Sequence, residues 1–176
     1  RVNIEKGTSG PGSSTVPLGG VGFNWMPGLF QSASAACLTY NVWLPKSFDF
    51  NKGGRLPGML VGVADSHVST EAKSGTATPL AWRRGGNGAI GIEKFDGEKR
   101  SMHTLGIDSF KIARGRWVEV QQEVVLNNPN KRDGILRVWV DGRMAFEKSN
   151  MTYRNTADER IQGVSAGIWY TNRNGS

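Results

Sequence analysis

Apolar and polar residues alternate with a period of two along most of this chain, and that period belongs to β-strands. In "CLTYNVWL", Leu38, Tyr40, Val42 and Leu44 fall on one face and Cys37, Thr39, Asn41 and Trp43 on the other. "WVEVQQEVVLN" sets Val118, Val120, Val124 and Leu126 against Glu119, Gln121 and Glu123. "GILRVWVDGRMAFEK" turns Leu136, Val138 and Val140 inward and Ile135, Arg137 and Trp139 outward. Its Asp-Gly step predicts a two-residue hairpin turn. "GVSAGIWYTN" alternates as well, and "GAIGIEKF" is a shorter strand. No convincing amphipathic helix interrupts the series. The pattern predicts an all-β fold, an antiparallel β-sandwich or jelly roll, in one domain spanning residues 1–176. The stretch from His67 to Pro79 has the chemistry of a long loop, and loops of that length inside a domain often carry function.

Composition changes this picture little. The 24 glycines among 176 residues suit many strands joined by tight turns. The single cysteine, Cys37, rules out an intramolecular disulfide and is expected to be a small buried hydrophobe. The chain opens on polar, Gly-rich residues without a methionine and ends in "TNRNGS" directly after an apolar strand, which reads as an excised domain. No run reaches membrane-spanning length, so no membrane partner is expected.

Charge adds a direction. Twenty-two Lys and Arg against 15 Asp and Glu give a net charge of +7, which suits a polyanionic partner. The motifs narrow the choice. "RRGGNGAIG" lacks the P-loop spacing and no helix follows it. His67 and His103 lie far apart and one cysteine cannot build a zinc site, so neither metal nor cofactor is expected. No G-x-S-x-G elbow is present, and no nucleic-acid module is recognisable. What stands out is a set of cations near turns: Lys52, Arg55, Arg83, Arg84 and Arg173. Lys52 and Arg55 bracket a Gly-Gly in "NKGGRLPG". On the polar strand faces, Arg137, Gln121, Trp43 and Trp139 predict a sheet surface suited to sugars.

"LTYNVWLPKSFDFNKGGRLPGML" resembles the signature of polysaccharide lyase family 14, the alginate-lyase-like jelly rolls, which reads roughly Y-x-V-x-F-P-x-x-F-D-F-x-K-G-G-K-L-P-G-L. "LAWRRGGNG", "GRWVEVQQEVVLNNPNKRDGILRVWVDG" and "GIWYTNRNGS" follow in the family's order, so the likeness covers nearly the whole chain. The resemblance implies cleavage of an acidic polysaccharide by β-elimination. A cation neutralises the C5 carboxylate, a base removes the C5 proton, and an acid protonates the leaving glycosidic oxygen. Lys52 and Arg55 occupy the cationic segment. The family's S-x-R and Y-x-Y positions hold Ala77 and Pro79, and Gly91 and Glu93. The acid and base are therefore expected elsewhere: Tyr170 first and His67 second, with Asn172 on the same strand face as Tyr170 and Arg173 close enough to lower its pKa. Arg83, Arg84, Asn172, Arg173, Arg137 and Gln121 are the expected substrate-binding residues. A monomeric, secreted or extracellular polyuronate lyase is the first expectation. A glycan-binding relative that has lost its tyrosines is the alternative.

Overall fold

The computed structural model describes residues 1–5, 7–11, 17–30, 33–50, 52–63 and 74–171. It contains ten strands: β1 (Val21–Trp25), β2 (Ala35–Trp43), β3 (Gly54–Gly62), β4 (Ser74–Trp82), β5 (Gly88–Asp96), β6 (Lys99–Leu105), β7 (Trp117–Val125), β8 (Gly134–Val140), β9 (Arg143–Met151) and β10 (Arg160–Tyr170). They form a six-stranded sheet, β1-β10-β3-β4-β5-β6, and a four-stranded sheet, β2-β7-β8-β9. The strand pairings are antiparallel throughout, as the alternation requires. No α-helix occurs among the described residues.

The inward faces meet in one core. Leu56, Met59, Val61, Leu80, Trp82, Ile90 and Ile161 of the larger sheet pack against Val118, Val120, Val124, Leu136 and Val138 of the smaller. These are the inward positions expected for β7 and β8. The turn between β8 and β9 places Asp141 at φ 50° and Gly142 at φ 73°, the doubly left-handed geometry that an Asp-Gly hairpin adopts.

Two polar residues tie the sheets together. Gln122 stands at an inward position of β7 and is fully buried. Its Oε1 accepts from the Met59 N–H at 2.9 Å and the Thr78 hydroxyl at 3.1 Å, and its Nε2 donates to the Thr78 carbonyl at 2.8 Å. The Tyr40 hydroxyl donates to the Pro57 carbonyl at 3.2 Å, and burial pushes that phenol's pKa up.

The structure corrects two expectations. Ser74 to Pro79 is not loop but the first part of β4, an interior strand between β3 and β5. Pro79 lacks the N–H that an interior strand position uses. The ladder absorbs this at a β-bulge, where the register shifts between Leu56 and Gly58 and Gly58 stands opposite Pro79. Proline chemistry alone therefore points the wrong way for this segment. Cys37 is exposed, because it occupies the outward face of edge strand β2.

Candidate active site

Strand register decides which side chains can meet. On β3, Leu56 points into the core, so its neighbour Arg55 points to the outer face of the six-stranded sheet. Arg55 stands opposite Ala81 on β4 and Trp169 on β10. Glu93 on β5 stands opposite Ala77 on β4. Ser165 on β10 stands opposite Asn24 on β1 and Gly58 on β3. Asn24, Ser165, Trp169, Arg55 and Glu93 therefore share one face.

The face is sheltered. Leu60 and Ala77 keep 3% of their surface and Ala89 keeps 1%, although none of them points into the core. Within this shelter Arg55 is 9% exposed. Its Nη1 donates to Glu93 Oε1 in an ion pair, and its Nη2 donates to the Ser165 hydroxyl at 3.2 Å. Its guanidinium lies over the Trp169 ring, 5.4 Å from the centroid. The Nε is buried and has no hydrogen-bond partner among the described residues.

The pair crosses an intervening strand. β3 and β5 flank β4, a separation of about 10 Å. The outward residues of β4 between them are Ala77, Pro79 and Ala81, and Gly91 on β5 lies beneath Pro79. These small side chains leave a path along which the long Arg55 side chain reaches Glu93. A larger residue at position 77 or 81 would fill that path.

Trp169 rests on glycine. A Cβ at Gly10, Gly22 or Gly167 would fall 2.1, 2.8 or 2.4 Å from an atom of the indole. The Gly167 Cβ would also meet Arg55 Nε at 2.8 Å. Gly167→Ala must therefore move the tryptophan, the arginine or both. It is expected to weaken oligouronate binding about tenfold while lowering stability by about 1–3 kcal/mol, the usual cost of overpacking. Calorimetric titration beside a thermal melt separates the two effects.

The expected site residues are not all brought together. Lys52 is exposed, and its carbonyl accepts from the Trp82 indole N–H at 3.1 Å. Arg83 follows β4 and pairs with Asp108 at 3.2 Å, and Arg84 is exposed in the turn that follows. The contacts that hold Arg55 include neither of them. Gln121 and Arg137 stand on the outer face of the four-stranded sheet, where Gln121 opposes Trp139 and Arg137 pairs with Glu123 and Glu147 at 2.6 Å each. The core separates them from Arg55, so one cleft cannot hold all three. His67, Asn172 and Arg173 lie outside the described residues.

Tyr170 neighbours Trp169 and takes the opposite face of β10. Its ring stacks on Phe48 at 5.8 Å and meets Trp82 edge-on at 5.9 Å. Its hydroxyl donates to the Asp49 carbonyl at 3.4 Å. Burial, with the Asp49 charge added, pushes the phenol's pKa up, the reverse of what a tyrosine base needs. Tyr170→Phe is expected to keep turnover within about threefold of the parent, because the phenol does not face Arg55. Initial-rate measurements on one polyuronate check this.

Sequence reasoning did not name Trp169, Ser165 or Asn24, which share the face of Arg55, and set Glu93 aside. The deciding signal is the register of β10 against β3, two strands far apart in the chain. Arg55 faces away from the core, its partners on β10 are Trp169 and Ser165, and Tyr170 falls on the other face by one residue. Among the described residues no cluster of His, Cys, Asp and Glu could hold a metal ion. No described helix is long and apolar enough to cross a membrane. A buried guanidinium beside a half-buried indole, with a hydroxyl and an amide alongside, can hold the carboxylate of a sugar acid while the indole stacks on the ring.

The polysaccharide lyase 14 family model matches residues 1–172. The chain belongs to polysaccharide lyase family 14. The match bears out the resemblance drawn from the K-G-G-R-L-P-G segment. Solved structures agree on the fold. The PL-14 alginate lyase of Aplysia kurodai is 21% identical, with 97% of this chain and 73% of that one covered and a TM-score of 0.76. The alginate lyase vAL-1 of Chlorella virus is 18% identical, with 98% and 80% covered and a TM-score of 0.72. The endo-β-1,4-glucuronan lyase of Trichoderma reesei is 12% identical, with 97% and 72% covered and a TM-score of 0.61. No curated protein sequence matches the chain significantly. In this family domain the jelly-roll expectation holds.

Proposed function

We propose that this chain is a polyuronate lyase that cleaves an acidic polysaccharide by β-elimination on the outer face of the six-stranded sheet. The observation that carries the reading is Arg55: a guanidinium nine-tenths buried, stacked on Trp169, in the K-G-G-R segment of a family 14 domain. The elimination needs a cation that withdraws charge from the C5 carboxylate, so that the C5 proton becomes acidic. A sheltered arginine supplies that charge where water screens it least. Trp169 supplies a sugar-stacking surface, and Ser165 and Asn24 supply polar contacts beside it. The relatives named alginate and glucuronan lyases support a uronate substrate. A secreted enzyme that meets its polymer outside the cell fits this role.

The test compares a polyuronate with the same polymer after its carboxyl groups are reduced to alcohols. Cleavage, read as new unsaturated chain ends, is expected for the polyuronate alone. Equal handling of both polymers would reject Arg55 as the specificity element. One observation favours a second reading, a glycan-binding module without turnover. The positions matching the family's Y-x-Y pair hold Gly91 and Glu93, and Glu93 is bound to Arg55. Binding of the acidic polymer without new chain ends would support that reading.

A further inference from the structure

The ion pair between Arg55 and Glu93 is more than a support for the arginine. Resting on the lyase reading, we infer that Glu93 is the proton carrier of the elimination, released for that work when a substrate carboxylate takes its place on Arg55. Three observations carry this. First, Arg55 Nη1 is held by Glu93, Nη2 by Ser165, and Nε has no partner among the described residues. A uronate carboxylate that reaches this guanidinium therefore arrives within hydrogen-bond reach of Glu93. Second, the exchange conserves charge at the buried end of the pair. The Arg55 side chain is 10% exposed and that of Glu93 is 29% exposed. The guanidinium trades one carboxylate for another, and the displaced group is the more solvated partner. Third, Glu93 is the one carboxyl on this face among the described strand residues, and no tyrosine or histidine of those strands stands there. The outward positions opposite and beside it hold Ala77, Pro79, Gly91 and Met102.

The chemistry balances on one group. Once the substrate carboxylate holds Arg55, Glu93 has a free oxygen beside the sugar ring. Glu93 takes the C5 proton, and the C5–H electron pair becomes the C4=C5 double bond. The C4–O bond breaks with its electrons on the glycosidic oxygen. Glu93 then gives its proton to that oxygen and returns to Arg55. A single carrier requires the C5–H and C4–O bonds on one side of the ring. D-mannuronate and D-glucuronate meet that requirement and L-guluronate does not.

Glu93→Gln tests the inference, with turnover on polymannuronate and glucuronan, binding of a saturated mannuronate trimer, and a thermal melt. Turnover is expected to fall at least about a hundredfold. Binding is expected to hold or tighten, because no side-chain carboxylate then competes with the substrate for Arg55. In Glu93→Ala, added formate is expected to restore part of the rate. If the glutamine variant fails to fold, Glu93→Asp keeps the charge and withdraws the carboxylate by one methylene, and it must lose turnover with binding kept. Parent-like turnover of the variant that folds overturns the inference and leaves the lyase reading standing. So does equal loss of binding and turnover, or a parent enzyme that cleaves only polyguluronate. A parent silent on every polymer removes the lyase reading and this inference with it.

Discussion

Replacing Arg55 by alanine is expected to lower turnover on polymannuronate or glucuronan by about a hundredfold to a thousandfold. That is the range seen when one pre-organised charge or donor is taken from a developing anion, about 3–4 kcal/mol of transition-state stabilisation. The reason lies in the burial. Arg55 is held by Glu93, Ser165 and Trp169 at 9% exposure, so no solvent ion replaces it cheaply. The loss should appear in both kcat and KM, since the carboxylate is held in the ground state and more tightly as charge develops. Arg55→Lys should recover only part of the rate. A lysine keeps the charge but cannot reach Glu93 and Ser165 from one planar group while stacking on an indole. Steady-state kinetics on the three proteins, with circular dichroism to show that they are folded, checks the whole series.

Gln122→Leu is expected to destabilise the fold more than Gly167→Ala does, although it changes side-chain volume little. It leaves the Met59 N–H and the Thr78 carbonyl without their Gln122 partners at 2.9 and 2.8 Å, and the Thr78 hydroxyl, which loses its 3.1 Å bond, with the Met59 carbonyl at 3.4 Å. A buried polar group left unpaired costs about 1–3 kcal/mol, so a loss of about 3 kcal/mol or more follows for the set. In a domain of this size that is about 6–12 °C in Tm. Gln122→Glu should be nearly as damaging, because it substitutes a buried carboxyl for the amide that donates to Thr78. Thermal melts of both variants test this. A change below about 1 kcal/mol would mean that the Gln122 hydrogen bonds contribute little to holding the sheets together.

These expectations show where the sequence was readable. Val118, Val120, Leu136 and Val138 announce their faces because one side of each strand is apolar and the other largely polar. Gln122 hides in the same strand, since a polar residue at an inward position looks like a break in the pattern. Its partners are 44 and 63 residues away. The six-stranded sheet is harder. β3 and β4 are buried on both faces, so Gly54–Gly62 and Ser74–Trp82 do not alternate. That is why Ser74–Pro79 resembled loop and why Arg55 could not be given partners. The same blindness hides which of Trp169 and Tyr170 shares the face of Arg55. Both are aromatic, both end an apolar run, and only the register with β3 tells which one faces the arginine. The K-G-G-R-L-P-G segment, by contrast, was legible, because a cation beside a bulge-forming Pro-Gly is unusual for a plain strand.

The most direct measurement follows absorbance of the C4=C5 double bond when the unaltered chain is mixed with polymannuronate, polyguluronate and glucuronan in turn. Catalysis at Arg55 and Glu93 predicts a steady rise with polymannuronate or glucuronan, little or none with polyguluronate, and loss of the rise in Arg55→Ala. A flat trace with all three polymers, alongside retained binding that Arg55→Ala abolishes, would contradict catalysis and leave a glycan-binding surface in its place.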